Sequence, residues 1–169
     1  AGASGIETKD LLESAEIFDC ETGKIEKKLT HELDFGYRDS IFKKNHALII
    51  LAGTWKLHQT EDTKPLRDTM TEILKKRNQT QPKGKSAGCI FKNPIPGVSA
   101  GKLIDESGCK NLRKGDIGVS SVHGNFFLNR GKGTQKQVLA LIHETQKTVK
   151  AKTGYDLHAE IEIVPEDTF

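Results

Sequence analysis

The chain is organised around the stretch Ser86-Ala87-Gly88-Cys89-Ile90-Phe91-Lys92-Asn93-Pro94, which brings together a thiol, a cation, an amide and a turn-forming proline. Its apolar run, residues 89–91, predicts a short buried strand, and the glycine before it lets other groups approach the main chain closely. Residues 92–94 then end that strand. The stretch predicts a reactive centre. On these residues alone, an exposed basic turn beside a core cysteine is the commoner arrangement.

The composition is typical of a soluble globular protein. Of the 169 residues, 35% are hydrophobic and 29% are charged, and the sequence has no apolar run long enough to span a membrane. The net charge of +3 arises from 26 basic residues spread among 23 acidic ones, which argues against a dedicated nucleic-acid binder. We therefore expect neither a membrane nor a nucleic acid as partner.

Three cysteines, Cys20, Cys89 and Cys109, are far apart in the sequence. Their odd number and the lack of a Cys-x-x-Cys spacing predict neither a disulfide framework nor a metal site. A reducing cytoplasm is the expected compartment. The first residue is Ala1 and not a methionine, so we expect that something has been removed ahead of it.

The first third of the chain predicts an antiparallel hairpin and a further strand. Residues 12–19 and 25–29 have strand composition and flank a turn at residues 21–24. Residues 30–33 predict a short helical turn. The run at residues 47–57 is rich in isoleucine and leucine, which predicts a strand buried on both faces.

The remainder predicts a second unit with three helices. Residues 58–62 form a polar linker, Thr63 is an expected N-cap, and Pro65 is tolerated in the first turn of a helix ending near Arg77. A second helix covers residues 99–106 and is stopped by Gly108. The third begins at a capping box, Thr134 with Gln137, and ends at Gly154. Apolar faces are predicted for the first helix (Leu66, Met70, Ile73, Leu74) and the third (Val138, Leu141, Ile142, Thr145, Val149).

Short strands complete the second unit. Two are predicted within residues 115–129, and the alternation of residues 157–164 predicts a final one. No internal repeat is present. Helices and strands together predict an α+β fold.

Several segments resemble one known family. They are Ala1-Gly2-Ala3, Gly36-Tyr37-Arg38-Asp39-Ser40, the stretch 87–94, Ala100-Gly101-Lys102-Leu103-Ile104, His123-Gly124-Asn125-Phe126 and Glu160. In this order and spacing they resemble the UDP-N-acetylenolpyruvoylglucosamine reductases, the MurB family, over essentially the whole chain. The resemblance implies a C-terminal fragment: residues 1–57 would complete an α+β flavin-binding domain, and residues 58–169 would form a smaller α+β substrate-binding domain. The missing N-terminal flavin-binding segment is then an expected partner.

The resemblance also implies a reaction and its residues. NADPH would give hydride to FAD, and the reduced flavin would pass it to the enolpyruvyl group of a UDP-sugar, giving UDP-N-acetylmuramate for peptidoglycan synthesis. Arg38 and Glu160 would stabilise the enolate-like species, and Cys89 would donate the proton. Contacts to the cofactor are expected from Gly2, Ala3 and Arg38, and contacts to the substrate from Tyr37, Lys92, Asn93 and Asn125.

Two positions depart from the family pattern. Serine is frequent at the position of Cys89, where a thiol is the more acidic donor and adds sensitivity to oxidation. A lysine frequent near Thr80 is absent, which leaves Lys83 or Lys85 to meet the substrate diphosphate.

Ordinary structural roles also fit each residue. The ordinary role of Arg38 and Asp39 is a surface ion pair, and that of Glu160 is a position on the solvent-exposed face of a strand. The ordinary role of His123 is a packed or solvated loop residue, and that of Asn93 and Asn125 is a turn residue. The whole chain likewise fits a nucleotide-sugar binding module without turnover, or a structural α+β domain. Binding of UDP separates these two alternatives, and flavin-dependent NADPH oxidation separates the enzyme from both.

Overall fold

Two units make up the chain in this computed structural model, which describes residues 2–164. The first unit covers Ala1–Asp68 and the second Thr69–Phe169. Both contain helical residues, and strands pair in each, which confirms the predicted α+β class. The domain boundary expected between residues 57 and 58 stays a prediction.

The first unit contains an antiparallel sheet in which Leu12–Asp19 (β3) lies between Lys24–Leu29 (β4) and Leu48–Trp55 (β5). A small hairpin and a single helical turn precede this sheet. The predicted hairpin and the short helical turn are confirmed. The elements of the first unit are β1 (Gly2–Ala3), β2 (Ile6–Glu7), α1 (Thr8–Leu11), β3 (Leu12–Asp19), β4 (Lys24–Leu29), a 3-10 helix (Thr30–Leu33), α2 (Ile41–Lys44) and β5 (Leu48–Trp55).

The strand β5 lies where the sequence predicts it, but the predicted burial on both faces is wrong. Ile49, Ile50 and Leu51 are about half exposed, at 48%, 55% and 51%. The buried core of this unit consists of Ala15, Ile17 and Leu33. An apolar run predicts a strand that favours burial, but it does not supply the surface that would cover it.

A long helix, α3 (Lys64–Thr80), follows the polar linker and confirms the predicted helix, which continues three residues beyond the expected end at Arg77. The Asp62 carboxylate accepts a hydrogen bond from the Lys64 amide at 3.0 Å, and the N-cap role of Thr63 stays a prediction. The predicted apolar face is present but exposed: Leu66, Met70 and Leu74 are 60%, 57% and 50% exposed.

The second unit packs two helices and a small sheet around one apolar core. Its sheet is antiparallel, with Ile117–Val119 (β7) between Arg113–Lys114 (β6) and Phe127–Asn129 (β8), and β6 was not expected from the sequence. The capping box of the last helix is confirmed, and Gly154 ends that helix with a positive φ of 77°. The elements are α4 (Ala100–Glu106), β6 (Arg113–Lys114), β7 (Ile117–Val119), β8 (Phe127–Asn129) and α5 (Gln135–Thr153).

Two predicted strands of this unit, residues 89–91 and 157–164, are not regular strands. Among residues 2–164 they pair through isolated bridges, Cys89 with Phe126 and Phe91 with Ala159. The reason lies at Ile90, whose amide donates to one neighbouring segment and whose carbonyl accepts from another. Successive hydrogen bonds therefore go to different neighbours, and a continuous ladder does not form.

Candidate functional site

The first group of predicted site residues surrounds a tight turn in the first unit. Gly36 and Asp39 exchange two backbone hydrogen bonds, of 3.0 and 3.2 Å, across Tyr37 and Arg38. Arg38 has a φ of +56°, a left-handed conformation that glycine adopts easily and arginine seldom does. Such strain costs about 1–3 kcal/mol and persists where the surrounding structure enforces it, often at functional sites.

The Arg38 side chain lies against the start of the chain. Its Nη2 donates to the Gly2 carbonyl at 3.4 Å, and its guanidinium carbon lies 5.3 Å from the centre of the Tyr37 ring. A Cβ added to Gly2 would lie 3.2 Å from Arg38 Nη1, so the absence of a side chain permits this approach. The expected cofactor contacts, Gly2, Ala3 and Arg38, therefore lie together.

The second group lies where three segments of the second unit meet. The Ile90 amide donates to the Asn125 carbonyl at 2.9 Å, and the Ile90 carbonyl accepts from the Glu160 amide at 2.7 Å. Ile90 itself is buried, at 1% exposure, while Cys89 and Glu160 are half-buried. The backbone thus holds the Cys89, Asn125 and Glu160 segments side by side.

Asn125 is buried, at 3% exposure, and its side chain bridges the main chain of Phe91. Its Oδ1 accepts from the Phe91 amide at 2.9 Å, and its Nδ2 donates to the Phe91 carbonyl at 2.8 Å. Sequence reasoning missed this bridge, because an asparagine in a loop usually indicates a local turn and nothing in the sequence links residues 34 positions apart.

Two further residues flank this meeting point. Asn93, which is exposed, accepts through Oδ1 from the Ala100 amide at the start of α4, at 3.0 Å. Lys92 is half-buried, and its amide donates to the His158 carbonyl at 2.9 Å. The main chain of Lys92 is thereby tied to the segment of His158, and the side chain of Asn93 to the start of α4.

His123 packs in the loop before Asn125. Its Nδ1 accepts from the Asn125 amide at 3.1 Å, and its ring lies edge-on to Phe126 with the centroids 4.9 Å apart. Burial lowers the pKa of this imidazole because it disfavours the charged form. These contacts agree with the packed loop residue expected from the sequence.

Residues 2–164 contain no group of three or more metal-ligating side chains placed to hold an ion. No helix among those residues is both long and apolar enough to cross a membrane. Tyr37 and Arg38 lie in one unit, and Cys89 and Glu160 lie in the other. The expected convergence of Arg38 with Cys89 and Glu160 stays a prediction.

Comparison with known proteins gives one consistent result. Residues 79–164 match the family described as UDP-N-acetylenolpyruvoylglucosamine reductase, C-terminal domain. The UDP-N-acetylenolpyruvoylglucosamine reductase of Protochlamydia amoebophila is 45% identical over 168 residues, which are 99% of this chain and 54% of the relative. The enzyme of that name from Clostridium novyi is 40% identical over 169 residues, with 99% and 54% covered.

A solved structure shows the same similarity in three dimensions. The crystal structure of UDP-N-acetylenolpyruvylglucosamine reductase (MurB) from Thermus caldophilus superposes with a TM-score of 0.81 at 38% identity, covering 98% of this chain and 57% of that one. The chain therefore spans about half the length of the relatives it matches.

Proposed function

The chain belongs to the family of UDP-N-acetylenolpyruvoylglucosamine reductases, and we propose that it supplies substrate-binding and proton-donating groups for the NADPH- and FAD-dependent reduction of UDP-N-acetylglucosamine enolpyruvate. The product would be UDP-N-acetylmuramate, a peptidoglycan precursor, made in the cytoplasm. The observation that carries the proposal is the family match over residues 79–164, which includes Cys89 and Glu160. All three cysteines are free thiols, which suits a reducing compartment.

The chemistry defines what the protein must provide. Reduction of the enolpyruvyl double bond puts negative charge on the carbon next to the carboxylate, and that carbon must then be protonated. The protein therefore needs groups that stabilise an enolate-like species and a group that donates one proton.

The first unit has a surface that suits part of a flavin. Gly2 carries no side chain where its main chain meets the Arg38 guanidinium, and Ala3 beside it is exposed. Gly2, Ala3 and Arg38 would hold the cofactor, which supplies the hydride when bound. The remaining flavin contacts would come from the part of the relatives that this chain does not match.

We assign stabilisation of the enolate to Arg38 and Glu160. The left-handed backbone at Arg38 supports its assignment, because a strained conformation of a non-glycine residue favours a role that stability does not explain. A guanidinium offers two parallel donors to a carboxylate, which suits the substrate at this point. The Glu160 amide donates a hydrogen bond to the Ile90 carbonyl at 2.7 Å, and this bond holds the backbone of Glu160 in place.

Cys89 is the proposed proton donor. Its thiol is half-buried, and it precedes two residues, Ile90 and Phe91, whose main chains are held by Asn125. A thiol carries one proton and is among the side chains that act as general acids. The proposed substrate contacts are Tyr37, Lys92 and Asn93, with Lys83 or Lys85 meeting the diphosphate.

Reconstitution tests the proposal. Mixing the chain with the complementary flavin-binding part of the Protochlamydia amoebophila relative should give flavin absorbance and NADPH oxidation that depends on the enolpyruvyl sugar. The chain alone should hold little FAD, because a few contacts do not offset an association cost of about 4–15 kcal/mol. Stoichiometric FAD and steady turnover by the chain alone would contradict the proposal that most flavin contacts come from outside this chain. UDP binding with no turnover in the mixture would indicate a binding module.

A matched pair of variants tests the donor in the same mixture. Cys89→Ser should retain turnover because a hydroxyl fills the same geometric role. Cys89→Ala should still allow NADPH to reduce the flavin but should block reoxidation by the sugar substrate. An unchanged reoxidation rate in Cys89→Ala, measured by stopped flow, would remove Cys89 from the mechanism.

A further inference from the structure

We infer that Asn125 is a positioning residue that fixes the backbone carrying Cys89 and does not itself contact the substrate. The inference rests on the proposed function, in which Cys89 donates the proton. It replaces the substrate contact expected for Asn125 from the sequence with a role that acts through Phe91.

The hydrogen bonds of Asn125 leave little capacity for a ligand. Its amide donates to His123 Nδ1 at 3.1 Å, and its carbonyl accepts from the Ile90 amide at 2.9 Å. Its side chain accepts from the Phe91 amide at 2.9 Å and donates to the Phe91 carbonyl at 2.8 Å. With 3% of its surface exposed, the residue faces the protein and not a binding site.

The chemistry of the bridge requires a primary amide. The Phe91 amide can only donate and the Phe91 carbonyl can only accept, so the partner must offer one acceptor and one donor side by side. Asparagine does so, whereas an ionised aspartate of the same shape offers acceptors only. Breaking one half of such a buried bridge leaves an unsatisfied polar group, which is costly.

The bridge is anchored on a rigid support. A Cβ added to Gly124 would lie 2.8 Å from the Gly101 carbonyl oxygen, and one added to Gly101 would lie 2.8 Å from His123 Cε1. The loop that presents Asn125 is therefore packed directly on the helix α4, which contains Gly101. This packing limits movement of the loop that carries Asn125.

The same unit contains a matched control. Asn129 also bonds through its side chain: Oδ1 accepts from the amides of Gly131 and Gly133, both at 3.1 Å, and Nδ2 donates to the Gly133 carbonyl at 3.3 Å. These partners belong to the loop before α5 and not to the Cys89 segment. Replacing Asn129 by aspartate removes a comparable side-chain donor toward the loop before α5, while its main-chain hydrogen bond to the Lys85 carbonyl is kept.

The first measurement is the alkylation rate of Cys89 by iodoacetamide across a pH series, in a Cys20→Ser background, with the modified residue identified by mass spectrometry. Cys109 is fully buried and serves as the internal reference. Asn125→Asp should speed alkylation of Cys89 about tenfold, because local opening becomes easier, and Asn129→Asp should change it less than about twofold. Equal rates in the two variants would overturn the inference. If Asn125→Asp does not fold, as judged by urea unfolding, Asn125→Gln replaces it with the same expectation.

The second measurement separates positioning from contact. In the reconstituted enzyme, Asn125→Asp should slow reoxidation of the flavin by the sugar substrate about tenfold while the substrate Kd stays within about twofold. A raised Kd with an unchanged reoxidation rate would show direct contact and overturn the inference. The alkylation contrast requires no turnover, so failed reconstitution would count against the proposed function and leave the test of Asn125 intact.

Discussion

The two units differ in how much of their apolar surface they bury for themselves. Within residues 2–164, the second unit has 13 buried apolar residues in one cluster, whereas the first has three. In the first unit, exposed apolar side chains lie along β5, including Ile50 and Trp55. Exposed apolar surface of this kind marks a place where another surface packs. The second unit therefore buries a large apolar core of its own, whereas β5 in the first unit leaves apolar side chains exposed.

Truncation of one core side chain in each unit should give the largest contrast. Leu141, at 0% exposure, lies in the large cluster, and Leu141→Ala should lower the free energy of unfolding of the second unit by about 3 kcal/mol. Ile50 is 55% exposed, and Ile50→Ala should cost less than about 0.5 kcal/mol. Urea denaturation followed by circular dichroism measures both.

A covering partner would sharpen this contrast. With the flavin-binding part of a relative present, the cost of Ile50→Ala should rise above about 1 kcal/mol, because its side chain then becomes buried. If Ile50→Ala lowers the free energy of unfolding of the isolated chain as much as Leu141→Ala does, the two units do not differ in how much they depend on their own buried core.

Sequence reasoning predicted elements better than it predicted burial. The capping box at Thr134 and the turn before β4 are local, so the residues themselves specify them. The exposed face of β5 depends on what lies against it, which periodicity does not contain. The bridge from Asn125 to Phe91 was not predicted, because it joins residues 34 positions apart in the sequence. The strained φ of Arg38 was not predicted either, because it is a property of the folded turn.

Two glycines give the next contrast. A Cβ on Gly124 would lie 2.8 Å from a backbone oxygen, whereas one on Gly36 would lie 3.6 Å from the Asp39 Cβ, an ordinary contact. Gly124→Ala should therefore destabilise the second unit by about 2 kcal/mol, and Gly36→Ala should change the first by less than about 0.5 kcal/mol. Thermal unfolding of the two variants tests this, and a neutral Gly124→Ala would mean that α4 and the loop are not rigidly packed.

A smaller effect of opposite sign is expected at Arg38. Arg38→Gly relieves a left-handed conformation and should raise the free energy of unfolding of the first unit by about 0.5 kcal/mol. Asn111, in the second unit, also has a positive φ, of 71°. Because asparagine tolerates that conformation, Asn111→Gly should be neutral.

Activity distinguishes these two variants as well. In the reconstituted enzyme, Arg38→Gly should lower kcat/KM at least about 100-fold by removing the guanidinium, and Asn111→Gly should not change it. A more stable and fully active Arg38→Gly variant would show that the Arg38 guanidinium has no catalytic role.

The smallest effect concerns pH and differs between the units. Burial, with a further contribution from Lys110, lowers the pKa of His123, while the unfolded chain keeps a value of about 6.5. Between these two pKa values the unfolded state binds more protons, so the second unit loses stability as the pH falls through about 6.5 toward the folded-state pKa. The Asp19 carboxylate in the first unit accepts from the Glu21 amide, which lowers its pKa. That contribution is lost only at more acidic pH, below about 3.9.

Urea unfolding should therefore show that the second unit has a lower free energy of unfolding at about pH 5.5 than at about pH 7.5. His123→Phe should abolish this difference. The variant keeps a ring against Phe126 but loses the acceptor for the Asn125 amide, so it should be less stable than the wild type at both pH values and insensitive to the change. His143→Phe, at an exposed position on α5, controls for removal of an imidazole. If His123→Phe and the wild type lose the same stability between the two pH values, His123 does not carry the pH dependence of the second unit.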